Sequence, residues 1–212
     1  MEMLDLDPAA REVIGLLGGV SDDKLDGPTP CEGTSVAALL DHFMSLSLAF
    51  THGARKTTAA EGGDSGSPPA PPSAEHLDPE WRELLPRRLH ELVEAWRVPA
   101  AWEGETEAGG VTMPADQMGV VALDELVLHG WDLARATEQP FSCDPASAEA
   151  VLGFTASTAE PENVEMREGL YGPVVDVPDD APAFDRALGF AGRDPAWTPD
   201  GDRRARGSDP GD

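Results

Sequence analysis

Apolar residues recur at three- and four-residue spacing in several blocks of the chain, the pattern of amphipathic helices. Residues 7–18 (DPAAREVIGLLG) predict a first helix, with Asp7 as N-cap, Pro8 at the first helical position and Gly18-Gly19 to end it. A turn-rich stretch, SDDKLDGPTPCEG, separates it from a second helix over about 35–51. There Val36, Leu39, Leu40, Phe43, Met44, Leu46, Leu48 and Phe50 are more than one face needs, so neighbours should wrap this helix on several sides. A third helix is expected over 79–96, carried by Trp81, Leu84, Leu85, Leu89, Leu92, Val93 and Trp96, with Pro86 placed to kink or shift it. The Gly-Gly turn in WEGETEAGGVTMP predicts a small hairpin. A fourth helix follows over 115–137 behind Pro114, a fifth over 145–156, and a short one over 181–190. No internal repeat is visible. The expected fold is all-α: a four-helix bundle with a C-terminal helical extension.

Two segments break the pattern. Residues 56–76 (KTTAAEGGDSGSPPAPPSAEH) are dense in Gly, Ser and Pro and read as a flexible surface loop, an insertion rather than a lid. Residues 198–212 (TPDGDRRARGSDPGD) are charged and Gly-rich and read as a disordered tail, leaving one domain over 1–197.

Composition narrows the function. The net charge of −25 over 212 residues repels phosphates, which argues against nucleic acid or anionic lipid as a partner. No apolar run reaches the roughly 18 residues of a membrane span. The acidic start, MEMLDLDPAA, lacks the basic and apolar regions of a signal peptide, so a cytoplasmic protein is expected. Cys31 and Cys143 form no metal-binding or redox pair, and Cys31 reads as a small, at least half-buried side chain.

The chemistry concentrates in the fourth helix, within ALDELVLHGWDLARA. Residues four apart lie within about 40° of each other around a helix, so Glu125 and His129 share a stripe, and Asp132 lies near it. Val120, Val121, Leu123, Leu126, Val127, Leu128 and Leu133 surround them. A carboxylate in such a helix must be paired, protonated or metal-bound. In the second helix His42 sits in ALLDHFMSL, with small Ala38, Ser45 and Ala49 along its own stripe. If the two helices face each other, His42, Glu125 and His129 meet as two nitrogens and one oxygen. Such a set holds zinc or another divalent metal with one position open, as a catalytic metal requires. The residues alone leave an ordinary helix ion pair and a satisfied core histidine as alternatives. Asp132 is a candidate either to orient a histidine from behind or to bond a neighbouring arginine; both readings stay open. His52, His76 and His90 have blander surroundings and are not expected to be ligands. Trp131 is expected to serve packing.

TPCEGTSVAALLDH, followed some eighty residues on by LDELVLHGWDLARATEQP, resembles the DinB-like metalloenzyme superfamily, in the branch related to mycothiol-dependent maleylpyruvate isomerase. LYGPVVDVPDDAPAFDRALGFAGRDPAW resembles the C-terminal segment of that branch's small members, so the likeness spans roughly 5–197. It implies a four-helix bundle binding a divalent metal, usually zinc, through His42, Glu125 and His129. It also implies a low-molecular-weight thiol, mycothiol or one like it, as cosubstrate in isomerisation or S-transfer. The expected partners are thus a small thiol and an electrophile, with no nucleic acid or membrane; such bundles can also pair as homodimers. Three departures count. Thr34-Ser35 stands where relatives usually have Trp after CEG, no basic residue precedes His42 in SVAALLDH, and the isomerase's second domain is lacking. Maleylpyruvate isomerisation itself is therefore not expected. A non-catalytic metal- or ligand-binding bundle, of the stress-response kind, is the alternative.

Overall fold

The computed structural model describes residues 3–57, 71–167 and 169–200. Its helices are α1 (Asp7–Leu17), α2 (Val36–Arg55), α3 (Trp81–Trp96), α4 (Ala115–Ala136), α5 (Pro145–Thr158), α6 (Val164–Arg167) and α7 (Ala183–Phe190). Two short strands, β1 (Glu105–Ala108) and β2 (Val111–Pro114), stand between α3 and α4. In the four-helix bundle α1 packs on α3 and α4, and α2 packs on the same pair. The all-α expectation holds, and the hairpin falls where the Gly-Gly turn put it, with Ala108 paired to Val111 across Gly109-Gly110.

Local chemistry sets the ends. Ser35, one of the two residues that depart from the family pattern, caps α2: its Oγ accepts the Ala38 N–H at 3.2 Å. Asp144 caps α5 through Ser147 in the same way. α2 runs to Arg55, a turn beyond the expected end, so His52 lies within the helix. The turn contains Gly53, and a Cβ there would meet the carbonyl of Glu107 at 3.1 Å. The missing side chain lets β1 lie close against α2, where the Thr106 hydroxyl donates to the Gly53 carbonyl at 2.5 Å. α3 continues through Pro86.

The core is continuous, with Leu39, Leu40 and Phe43 of α2, Leu85, Leu89 and Leu92 of α3, and Leu123, Leu126 and Leu128 of α4 almost fully buried. Burying each such side chain is worth about 1.5–3 kcal/mol. Trp102 donates from Nε1 to the Trp96 carbonyl at 2.7 Å and packs its ring against Gly119, where a Cβ would come within 2.3 Å of it. This seats the segment before the hairpin on the start of α4.

After α4 the chain folds back over the bundle. α5 packs on α4 and α7 on α5. Arg135 of α4 donates from Nε to the Trp197 carbonyl at 3.0 Å, which ties the end of the described chain to the bundle. The loop reading of 56–76 falls mostly on residues outside those described. Its described end includes a helical turn at Ala74–His76 that packs on α2, and the Ser73 N–H donates to Asp41 Oδ2 at 3.1 Å. The tail reading falls almost wholly on residues 201–212, also outside them. No described helix is long and apolar enough to cross a membrane.

Candidate metal centre

α2 and α4 pack directly on each other, and this brings together the three residues singled out in the sequence. His42 Nε2 and His129 Nε2 each lie 3.1 Å from Glu125 Oε2. The imidazole rings stand edge to face, with centroids 4.8 Å apart. One donor atom from each residue lies within 4.8 Å of the others. The side chains are partly shielded, 30% exposed for His42, 21% for Glu125 and 13% for His129, so the cluster is reachable from solvent.

Behind it stands a second layer of ionic groups. Asp132 is fully buried, and its Oδ2 accepts the His129 Nδ1–H at 2.9 Å. Arg193, from the turn after α7, donates from Nη2 to the same oxygen at 2.9 Å and from Nε to Oδ1 at 3.2 Å. Asp132 thus bonds both a histidine and an arginine, the two kinds of partner left open for it. Arg193 is itself buried and also donates to the Ala191 carbonyl at 3.0 Å.

The charges set one another. Burial pushes the Glu125 carboxyl up, but hydrogen bonds from His129 and His42 outweigh it and hold the group far below the usual carboxylate range. Burial acts against the charged form of His129, yet the bonds to Asp132 and Glu125 win and raise it to about 10. Asp132, penalised by burial, is held down by the Arg193 charge and by His129. In the metal-free protein the imidazolium form of His129 is thus favoured, with Nδ1–H donated to Asp132 and Nε2–H to Glu125.

Besides Arg193, two neighbours of the cluster escaped the sequence reading, Tyr171 and Asp124. Tyr171, the chain's one tyrosine, donates from its hydroxyl to Asp124 Oδ2 at 2.6 Å. Asp124 is buried beside Glu125, and burial lifts its carboxyl to about 7 despite the Tyr171 bond. Its Oδ1 has no hydrogen-bond partner among the described residues. The available signal was a lone tyrosine and a lone arginine in otherwise apolar or turn-forming stretches, LYGPVV and GFAGRDP.

A cavity of about 280 Å³ opens against His42 and Glu125, with Leu46, Ala49, Phe50, Pro71, Pro72 and Ala108 in its walls. The remaining histidines lie elsewhere. His90 donates from Nδ1 to the Pro86 carbonyl at 2.7 Å, and neither His52 nor His76 belongs to a described cluster of potential ligands. Cys31 and Cys143 are free and half-buried. Trp131 is buried, with the Arg135 guanidinium 5.9 Å from its ring centroid, as its packing role requires.

The donor set suits a divalent ion. Two imidazole nitrogens and one carboxylate oxygen converge, and one imidazole is held by a carboxylate at its other nitrogen, the support a metal-bound histidine ordinarily has. Fold and site together define a helical bundle with a candidate two-histidine, one-glutamate metal centre between α2 and α4. The chain belongs to the family described as the mycothiol maleylpyruvate isomerase N-terminal domain, a DinB-like branch whose family model matches residues 6–134. That range holds His42, Glu125, His129 and Asp132 and ends before Tyr171 and Arg193. Comparison with curated proteins and with solved structures gives no match.

Proposed function

We propose that this protein is a divalent-metal enzyme, with zinc the ion its donors suit best, that uses a low-molecular-weight thiol of the mycothiol kind for S-transfer or isomerisation. The observation that carries the reading is the convergence of His42 Nε2, Glu125 Oε2 and His129 Nε2, three donors with no fourth among the described residues, beside an apolar cavity. Membership in a mycothiol-associated family supports the choice of thiol.

A bound divalent ion would favour the thiolate over the thiol, whose unperturbed pKa is about 8.5, and so supply the nucleophile at neutral pH. The chain's own residues do the rest. His42, Glu125 and His129 would hold the ion and leave one position for sulfur or water. Asp132, clamped by Arg193, keeps the remaining proton of His129 on Nδ1 and so directs the Nε2 lone pair at the centre. Glu125 offsets part of the cationic charge. Leu46, Phe50 and Ala108 give the face where an electrophile would approach an apolar wall.

The test is metal content together with thiol consumption. Tag-free protein should carry or take up about one zinc per chain, and His42→Ala should lose it. The zinc-loaded protein should consume mycothiol in the presence of an electrophile, and His129→Ala should not. Full thiol consumption by His129→Ala, or no zinc uptake by the wild type, would overturn the reading.

A further inference from the structure

The cavity beside the cluster says what kind of electrophile it can take. Its volume of about 280 Å³ sits at the small end for ligand sites, room for a body of about one ring. Leu46, Ala49 and Phe50 of α2 form one wall, and Pro71, Pro72 and Ala108 face them. Ser45 contributes a hydroxyl to the lining, and among the described residues the only ionisable side chains there are His42 and Glu125, both committed to the candidate metal centre.

Among the described residues no lysine or arginine lines it, and Arg88, Lys56 and Arg55 are engaged elsewhere. Arg88 donates to the Met44 carbonyl, Lys56 to the Glu103 carbonyl, and Arg55 lies 3.9 Å from Glu91. Residues 58–70, which lead in sequence to the Pro71-Pro72 wall, contain Glu61 and Asp64 and no basic residue. The candidate metal is the one cation the cavity would offer, and its open position is the one the thiol sulfur would take; away from it a carboxylate or phosphate on the guest would lose its water to apolar walls and meet no described lysine or arginine. The chain's net charge of −25 opposes it further.

We infer that this cavity is the acceptor site and that its substrate class is a small, uncharged electrophile with an apolar body, an assignment that rests on the thiol-transfer reading above. In a transfer by displacement, sulfur forms a bond to the acceptor carbon and the bond to the leaving group breaks. The leaving group departs with that electron pair, the thiol proton passes to water, and no oxidant or reductant is consumed. Ala49 sets the size limit, because it is the smallest side chain in the α2 wall and no candidate ligand.

Binding can be tested without any turnover. Zinc-loaded full-length protein is titrated calorimetrically with nitrobenzene and with its para-carboxylate, for wild type, Ala49→Phe and Ala49→Lys, each checked for native helix content. Nitrobenzene should bind at least tenfold more tightly than the carboxylate. Ala49→Phe should abolish nitrobenzene binding, and Ala49→Lys should shift the preference towards the carboxylate. Equal or tighter binding of the carboxylate by the wild type, absence of nitrobenzene binding, or unchanged affinity in both variants would overturn the inference. Chlorodinitrobenzene and mycothiol are then supplied together. Expected nitrobenzene selectivity with no thiol consumption would refute the thiol-transfer reading and leave the cavity's preference for uncharged guests standing; thiol consumption with equal rates for chlorodinitrobenzene and a carboxylated analogue would do the reverse.

Discussion

Asp132 Oδ2 lies 2.9 Å from His129 Nδ1, and the same oxygen lies 2.9 Å from Arg193 Nη2. A residue 61 positions downstream thereby fixes the carboxylate that fixes a candidate ligand. Arg193 lies outside the stretch matched by the family model, so in this chain the C-terminal segment completes the support of the site.

The relay predicts a graded response. Asp132→Asn should weaken zinc binding by about 10- to 100-fold, the usual effect of losing such a partner, while helix content stays native. Arg193→Met leaves Asp132 buried without its cation and should destabilise the fold by about 3–5 kcal/mol. Arg193→Lys restores a charge without the paired donors and should fall between. Zinc competition with a chromophoric chelator and urea unfolding measure the two effects. Wild-type zinc affinity in Asp132→Asn would refute the relay.

Asp124 and Tyr171 give a second prediction. The folded carboxyl is raised to about 7 from an unfolded value near 3.8, so the charged form is the one the fold disfavours. The resulting penalty is absent below the unfolded value, grows as pH rises and is complete above about 7. Asp124→Asn should therefore stabilise the metal-free protein at pH 8 by a few kcal/mol relative to its effect at pH 4. Tyr171→Phe should cost about 1–2 kcal/mol by removing the one bond Asp124 Oδ2 receives among the described residues. Urea midpoints at the two pH values decide it; an Asp124→Asn effect that does not change with pH would contradict the assignment.

The sequence showed some of these parts and could not show others. Helices α1 to α4 were legible because each carries a continuous apolar stripe, and the hairpin because Gly109-Gly110 can turn where other residues cannot. His42, Glu125 and His129 stood out because ionisable groups among leucines demand an explanation. The last turn of α2 was not legible: THGAR looks like a helix end until β1 is seen packed against Gly53. Arg193 and Tyr171 were missed for a similar reason. Their partners lie 61 and 47 residues away, and nothing local in GFAGRDP or LYGPVV says which face of α4 the returning chain will cross.

Cys143 should be a sluggish thiol. Burial, with Asp144 and Glu12 nearby, pushes it up to about 12, so almost none is thiolate at pH 8. Alkylation by iodoacetamide in the native protein should run at least tenfold slower than for free glutathione, and denaturation should abolish the difference. Mapping by mass spectrometry distinguishes it from Cys31. Rapid native alkylation at Cys143 would mean that the segment before α5 opens readily.

The cluster itself predicts how the metal-free protein responds to pH. Glu125 has a folded pKa below its unfolded value of about 4.5, so its contribution is present above 4.5 and is lost as pH falls through the depressed folded value. His129 is the opposite case. Its folded value of about 10 lies above the unfolded 6.5, so its contribution is complete below 6.5 and is lost as pH rises towards 10. The two overlap between about 4.5 and 6.5, while Asp124 adds a penalty that grows from its unfolded 3.8 and is complete above about 7. Stability in excess chelator should therefore be highest on the acid side of neutrality and decline as pH rises, the His129 proton contributing up to about 1.4 kcal/mol per pH unit above 6.5. His129→Gln keeps a polar side chain on α4 but has no proton to lose, so its decline over the same range should be shallower. Urea unfolding at four pH values between 5 and 9.5 compares the two slopes. If they coincide, Glu125 and Asp132 do not hold His129 as imidazolium, and the electrostatic picture of the metal-free cluster is wrong.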